Sequence, residues 1–227
     1  MLGKRGTDVE LLQYILKKMP FLGFNGTVNG QFDQNLQHCI QQMQIYFQEK
    51  PDGIVGRDTY RLFGIEVDEY WPSSLPPLGM RTLRYDMRGR DVMVLQNRLA
   101  ASRNVYAQMM EKETAGLFRK GTEQALRAFQ KDCGMKASGI LDEAACFALY
   151  RLTGVGSRSL QYCCPGHDRG YDVFCLQERL HEKGYLRHSA SGIFSMETEE
   201  AVKYLQQDFQ MEPSGKVQGK TCFILGR

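Results

Sequence analysis

The strongest constraint on the fold of this chain is an internal repeat. Three segments begin with an Arg-Gly-x-Asp-Val motif, whose aspartates are Asp8, Asp91 and Asp172. A Leu-Gln pair stands four and five residues after each aspartate, and another leucine stands eight residues after it. Each segment then carries a Gly-x-Phe turn and, later, a second turn glycine. Self-similarity of this kind predicts one supersecondary unit that is used three times.

The distances between these motifs separate fixed parts of the unit from variable ones. The two turn glycines lie 23 residues apart in every copy: Gly30 and Gly53, Gly116 and Gly139, Gly192 and Gly215. The interval from the aspartate to the first glycine is instead 22, 25 and 20 residues. This pattern is typical of duplicated modules that share one tolerant loop.

The apolar residues of each copy predict helices. Val9, Leu12 and Leu16 lie on one face of a first helix. Asp8 and its two counterparts stand where an N-cap carboxylate accepts amide hydrogens of the first turn. A longer second helix follows the Gly-x-Phe turn, and a short third helix ends at a leucine: Leu62, Leu149 or Leu225. The predicted fold class is therefore all-α, with three tandem small three-helix modules.

The composition of the connections predicts the domain boundaries. Residues 1–66 form module 1, residues 80–155 module 2 and residues 156–227 module 3. The connection over residues 67–79 is rich in proline, which predicts a semi-rigid spacer. The second junction, near residues 154–159, contains glycine and serine and predicts a shorter, more flexible connection.

Charge and hydropathy exclude several classes of partner. The net charge of +3 is too small to indicate nucleic acid binding. Residues 78–155 nevertheless carry 13 Lys and Arg against 8 Asp and Glu, so module 2 would be the one to attract anions. The alternative is a solvated face of varied charge. No run of 18 apolar residues predicts a transmembrane segment. Because charges stand where a signal peptide needs an apolar run, we expect no classical signal peptide and synthesis in the cytoplasm.

Five of the seven cysteines occupy positions where the other copies place apolar or small residues: Cys39, Cys133, Cys146, Cys175 and Cys222. Free cysteine packs as a small hydrophobe, so these residues are predicted to be buried, reduced thiols. Cys163 and Cys164 stand beside His167 and leave a Cys/His hydrolase open as an alternative. A zinc site would need two further ligands, and no motif supplies them. We therefore predict no metal, no cofactor and no catalytic residue.

The repeat resembles the peptidoglycan-binding-like module of bacteria. The resemblance rests on Gly-x-Asp-Val-x-x-Leu-Gln, on the Gly-x-Phe turn and on the second turn, which in module 1 runs from Asp52 to Thr59 as DGIVGRDT. Family members usually carry a glycine where modules 2 and 3 have Asp86 and His167, residues that tolerate a left-handed backbone. Module 2 also replaces the last Gly-x-x-Thr by residues 142–145, DEAA. The resemblance implies a spore-forming or Gram-positive source.

The resemblance implies a non-catalytic cell-wall protein that binds peptidoglycan glycan or stem peptide through three linked modules, with avidity from tethering. The ligand-binding candidates lie near the exposed turns: Phe32, Phe118, Phe194 and Tyr185. The alternative for the phenylalanines is that they anchor the turns to the core. A rival function is a structural or assembly protein of the spore envelope that has lost ligand binding and contacts other envelope or spore proteins. The expected location is the cell wall or the spore envelope.

Overall fold

The structure is a computed structural model that describes residues 2–65, 78–79, 81–162 and 168–227. These residues form ten α-helices and no named strand, which confirms the all-α fold class. The helices of module 1 are α1 (Thr7–Lys18), α2 (Gln34–Tyr46) and α3 (Arg57–Leu62). Most of the predicted spacer over residues 67–79 lies outside the described residues.

Modules 2 and 3 repeat this order of helices. Module 2 contains α4 (Arg90–Ser102), α5 (Asn104–Met109), α6 (Lys120–Asp132) and α7 (Glu143–Leu152). Module 3 contains α8 (Tyr171–Glu182), α9 (Met196–Asp208) and α10 (Lys220–Leu225). Antiparallel bridges join the residue before each Arg-Gly-x-Asp glycine to the Gly-x-Phe turn of the same module, as in Arg5 with Gln31.

The variable connection accounts for one departure from three helices per module. In module 2 it folds into the extra helix α5, whereas in module 1 it forms a single 3-10 turn over Pro20–Leu22. Helix α7 also ends at Leu152, about one turn beyond the predicted Leu149. The other two third helices end at Leu62 and Leu225, as predicted.

The prediction that the motif aspartates are N-caps is wrong in position. The cap is the preceding glycine, and Asp91 is the second residue of its helix. Gly89 has a φ of 151°, a backbone conformation that residues with a side chain rarely adopt, so the helix begins directly after it. The carboxylate still serves the first turn, because Asp91 Oδ1 accepts a hydrogen bond from Val92 N at 2.9 Å. Asp8 and Asp172 do the same in their modules.

Asp86 bears out the tolerance expected of it. It has a φ of 71°, close to the φ of 80° at Gly3, its counterpart in module 1. An aspartate therefore takes the left-handed conformation that glycine provides in the first copy. His167, the third member of this set, lies outside the described residues.

The three hydrophobic cores are not confined to their modules. The core of module 1 includes Tyr171 and Phe174 of helix α8. The core of module 3 includes Ala101 of helix α4. Modules 2 and 3 thus each cover part of a neighbour's core, and burial of this shared apolar surface favours packing of the modules against one another.

The junction near residues 154–159 is packed rather than flexible. Val155 and Ser157 are buried, and so is Gly156 between them. A Cβ atom at Gly156 would lie 2.8 Å from the backbone nitrogen of Arg98, so only glycine allows this approach to helix α4. The sequence predicted flexibility because glycine and serine are typical of linkers, but here their small size permits close contact between backbones.

Arg98 stands where the three modules meet. It is 1% exposed, and its Nε donates to Ser157 Oγ at 2.8 Å. Its Nη2 donates to the Gly64 carbonyl of module 1 at 3.1 Å, and its Nη1 donates to the Thr153 carbonyl. The guanidinium also lies 4.4 Å from the centroid of the Tyr150 ring. One side chain therefore links residues of module 1, module 2 and module 3.

Candidate cell-wall interface

Six buried glutamines brace the turns, two in each module: Gln13, Gln44, Gln96, Gln130, Gln177 and Gln206. In each case Oε1 accepts a hydrogen bond from the N–H of the turn glycine at 2.8–2.9 Å. Nε2 donates to a backbone carbonyl of the same turn at 2.8–3.1 Å. The glutamines of the repeat motif therefore hold the turns in place from inside the module.

Threonine hydroxyls complete four of these six braces: Thr59, Thr122, Thr198 and Thr221 accept from glutamine Nε2 at 2.9–3.2 Å. The second turn of module 2 has Ala145 at this position. There Gln130 Nε2 donates to Ser138 Oγ at 3.1 Å, the counterpart of the bond from Gln206 Nε2 to Ser214 Oγ at 3.2 Å in module 3. Module 2 thus keeps this second contact of the glutamine and lacks the threonine hydroxyl.

The three candidate phenylalanines lie in the cores of their modules. Phe32 is 2% exposed, and Phe118 and Phe194 are fully buried. Their rings present almost no surface to a ligand, and their position matches the alternative that they anchor the turns. A ligand-binding role for them stays a prediction.

Tyr185, the fourth candidate, joins the loop after helix α8 to the end of helix α9. Its hydroxyl donates to Asp208 Oδ2 at 2.7 Å. Burial and this hydrogen bond raise the pKa of Tyr185 to about 12. Tyr106 makes the equivalent bond to Asp132 at 2.5 Å in module 2. The half-buried ring of Tyr185 leaves some surface for a ligand, so its binding role also stays a prediction.

Module 1 makes the same connection without a hydrogen bond. The aromatic rings of Phe21 and Tyr46 lie 4.8 Å apart, centroid to centroid, at the corresponding place. A ring contact thus replaces the Tyr–Asp pair of the other modules. All three modules therefore fasten their variable connection to the end of the second helix.

The five cysteines within the described residues are free, as predicted. Cys39, Cys146 and Cys222 are buried, whereas Cys133 and Cys175 are partly buried. Burial raises the pKa of the Cys146 thiol to about 11 and that of the Cys222 thiol to about 12. These thiols stay protonated near neutral pH, and protonated thiols are poor nucleophiles and metal ligands.

The remaining Cys/His alternative concerns Cys163, Cys164 and His167, which all lie outside the described residues. In the part of the chain that the structure describes, no three His, Cys, Asp or Glu side chains are grouped so that they could hold a metal ion.

A groove of about 970 Å³ lies between modules 2 and 3. One wall is helix α4, through Arg90, Met93 and Asn97. The other wall is the second turn of module 3, through residues that include Lys216 and Lys220. The groove is within the size range of ligand sites in proteins, and its lining combines amides, cations and apolar methionines.

Arg90, Lys216 and Lys220 bring positive charge to the groove. Lys216 and Lys220 are exposed, and Glu212 contributes the opposing charge. Arg158 also lines the groove, but it pairs with Asp172 at 2.6 Å and with Asp168 at 2.7 Å. The groove therefore favours a polar ligand that carries negative charge.

The arginines that pair with two of the three motif aspartates were not predicted from the sequence. Arg81 Nε lies 2.7 Å from Asp91 Oδ2, and Arg158 makes the same contact with Asp172. Arg81 precedes its aspartate by 10 residues and Arg158 by 14, so these arginines have no fixed register. Asp91 follows four arginines within ten residues, Arg81, Arg84, Arg88 and Arg90, so the sequence does not show which of them pairs with it.

Comparison with known proteins identifies the repeat. A family model described as "Putative peptidoglycan binding domain" matches residues 5–62, 88–145 and 169–222, which together make up most of the chain. The chain belongs to this family. The three matched ranges coincide with the three sets of braced turns, so the peptidoglycan-binding domains are the modules themselves.

One curated relative extends the comparison. The chain is 34% identical over 103 residues to the N-acetylmuramoyl-L-alanine amidase CwlM of Mycobacterium tuberculosis. The match covers 44% of this chain and 25% of the amidase, so it spans about a quarter of that relative's length. No solved structure matches the chain. Among the described helices of these peptidoglycan-binding domains, none has the length and apolar character that a membrane span requires.

Proposed function

We propose that this protein is a non-catalytic cell-wall protein whose three peptidoglycan-binding domains act as one packed unit. The observation that carries the proposal is that three copies of a binding domain make up most of the chain and share their cores. A polymer that contacts two modules at once gains from both contacts, because the second contact forms at high effective concentration.

The groove between modules 2 and 3 is the proposed contact surface. Peptidoglycan presents hydroxyl, amide and carboxylate groups along glycan and stem peptide, and these complement the amides and lysines of the groove. The Met93 and Met211 side chains add apolar surface for sugar faces or alanine side chains. Because the groove uses residues of two modules, it binds ligand only in the packed arrangement.

Two observations support a role without catalysis. Cys146, Cys175 and Cys222 have raised pKa values, so these described thiols are weak nucleophiles near neutral pH. The groove also lacks a nucleophile paired with a base among its described lining residues. The amidase activity in the name of the relative belongs to a protein of which this chain covers a quarter.

The test is co-sedimentation of the full chain with purified, insoluble peptidoglycan. We expect the double variant Lys216→Ala, Lys220→Ala to bind about tenfold more weakly, because two exposed cations of the groove are lost. The matched control is Lys112→Ala, Lys136→Ala, which removes the same charge from exposed sites outside the groove. Equal losses in both variants would contradict the groove as the contact surface.

A hydrolysis assay on the same samples separates the alternatives. Release of soluble fragments that disappears in Cys163→Ser or Cys164→Ser would establish the Cys/His hydrolase instead. Failure of the full chain to sediment even at low salt would favour the assembly protein of the spore envelope. The buried, reduced thiols are the observation that favours that second candidate, because they suit assembly inside a reducing compartment.

A further inference from the structure

A second cavity lies at the meeting point of the three modules. It measures about 200 Å³ and is lined by side chains from every module. Tyr14 and Lys18 come from helix α1, Arg98 and Arg151 from module 2, and Arg179 from helix α8. Lys18 is exposed, so the cavity opens at the surface on that side.

Arg98 brings a buried positive charge to this cavity. Its hydrogen-bond partners are the hydroxyls of Ser157 and Thr153 and the carbonyl oxygens of Thr153 and Gly64, and it forms no ion pair with a described carboxylate. Asp172, a nearby acid, already pairs with Arg158. Burial without a counter-ion lowers the pKa of Arg98. A buried charge of this kind is stabilised by any anion that approaches it.

Arg151 adds a donor that the protein leaves without a partner. Its Nε is buried and makes no hydrogen bond within the described residues. Its guanidinium lies 5.5 Å from the centroid of the Tyr14 ring, and the Lys18 ammonium lies at the same distance from that ring. Buried polar groups are nearly always hydrogen-bonded in folded proteins, so an unpaired guanidinium N–H beside a cavity points to a ligand.

The acids of the cavity do not balance these cations. Glu182 pairs with Arg179 at 3.8 Å. Burial raises the pKa of Glu178, the charge of Glu182 raises it further, and Lys18 lowers it. Among the lining residues the four cations exceed the two acids by two positive charges, and the buried Arg98 and the partly buried Arg151 both line this space.

We propose that this junction cavity binds the carboxylate of a short peptide, with Arg151 as the main contact. A guanidinium presents parallel N–H groups that match a carboxylate. The apolar lining residues Ala101, Val155 and Leu225 suit the aliphatic part of an amino acid better than a bare inorganic anion. The inference rests on the proposed function, because the stem peptides of the cell wall supply such carboxylates.

The experiment titrates the full chain with N-acetyl-D-alanine and with its uncharged analogue N-acetyl-D-alaninamide. The readout is the Nε–H resonance of Arg151 in a proton–nitrogen NMR spectrum. We expect a saturable shift with the acid and none with the amide. Arg151→Gln should weaken binding of the acid about tenfold, whereas Arg187→Gln, which is exposed and outside the cavity, should not.

A second variant and a second anion test the same site. Lys18→Gln changes an exposed residue of the same cavity and should weaken binding without a risk to folding. Inorganic phosphate that binds as tightly as the acid, or an acid and an amide that bind equally, would overturn the proposal. Co-sedimentation without any titration signal would overturn the cavity and leave the wall function intact. A titration signal without co-sedimentation would uphold the carboxylate site and overturn the wall function.

Discussion

At the residue scale, one glutamine side chain at each turn satisfies a backbone N–H and a backbone carbonyl at once. Gln177 Oε1 accepts from Gly192 N and from Ser191 N, both at 2.8 Å, and its Nε2 donates to the Ile193 carbonyl. The repeat singled out these glutamines from sequence alone. Their role could not be predicted, because an invariant register position is compatible with either a ligand contact or a buried hydrogen bond.

Gln177→Leu tests this role. Because leucine leaves buried turn groups without partners, we expect the free energy of unfolding to fall by roughly 2–4 kcal/mol in urea denaturation. The control is Gln207→Leu on the exposed side of helix α9, which should change it by less than about 0.5 kcal/mol. If Gln177→Leu were as stable as the control, water would satisfy the backbone hydrogen-bonding groups of the turn as well as the glutamine does.

At the scale of elements, the register predicted most helices and failed where length varies. Helix α5 occupies the tolerant connection of module 2, for which the other copies provide no template. Tyr106 of this helix fastens it to Asp132, the last residue of helix α6. The equivalent Tyr185 bond to Asp208 connects a loop rather than a helix. The tyrosine–aspartate hydrogen bond is thus retained while the length and structure of the connection change. Spacing along the sequence could not predict this bond, because the tyrosine has no fixed register.

Tyr106→Phe should alter the dependence of stability on pH. Burial and the bond to Asp132 raise the pKa of Tyr106 from 10.0 to about 12. The folded state therefore keeps a proton that the unfolded state releases, and this stabilisation is complete below pH 10 and lost as pH rises through about 12. We expect the free energy of unfolding of the variant to be about 1 kcal/mol lower than that of the parent near neutral pH. As the pH rises above 10, the free energy of unfolding should fall less in the variant than in the parent.

The measurement is chemical denaturation at a series of pH values from 7 to about 12. Tyr204→Phe is the control, because that side chain is 60% exposed and should leave the curve unchanged. Parallel pH curves for the parent and Tyr106→Phe would contradict the link between burial of this phenol and stability.

At the scale of the whole molecule, the packing between modules was hidden from the sequence. Arg98 occupies the register position of Ile15 in module 1 and of Arg179 in module 3. Periodicity predicts that such a position faces the interior of its own module. It does not show that the side chain contacts residues of all three modules. The same holds for Gly156, whose role is a close approach of backbones rather than flexibility.

Expression of residues 80–155 alone tests how far a module depends on its neighbours. We expect a helical fragment with a cooperative transition in circular dichroism, because the core of module 2 lies almost entirely within these residues. The fragment should unfold at a lower urea concentration than the full chain, since Arg98 loses its bonds to Gly64 and Ser157. In the full chain, Arg98→Ala should bring the midpoint toward that of the fragment. A disordered fragment would contradict independent folding of the modules.

The packed junction at residues 153–157 has a consequence for recognition. A flexible linker would let each module search for its own contact, and every contact would cost the entropy of holding the linker still. With Gly156 against helix α4, the two walls of the groove are already in place before a polymer arrives. Such preorganisation favours wall material whose repeat distance matches that fixed spacing, and the protein would discriminate by geometry where a string of free domains would discriminate only by composition.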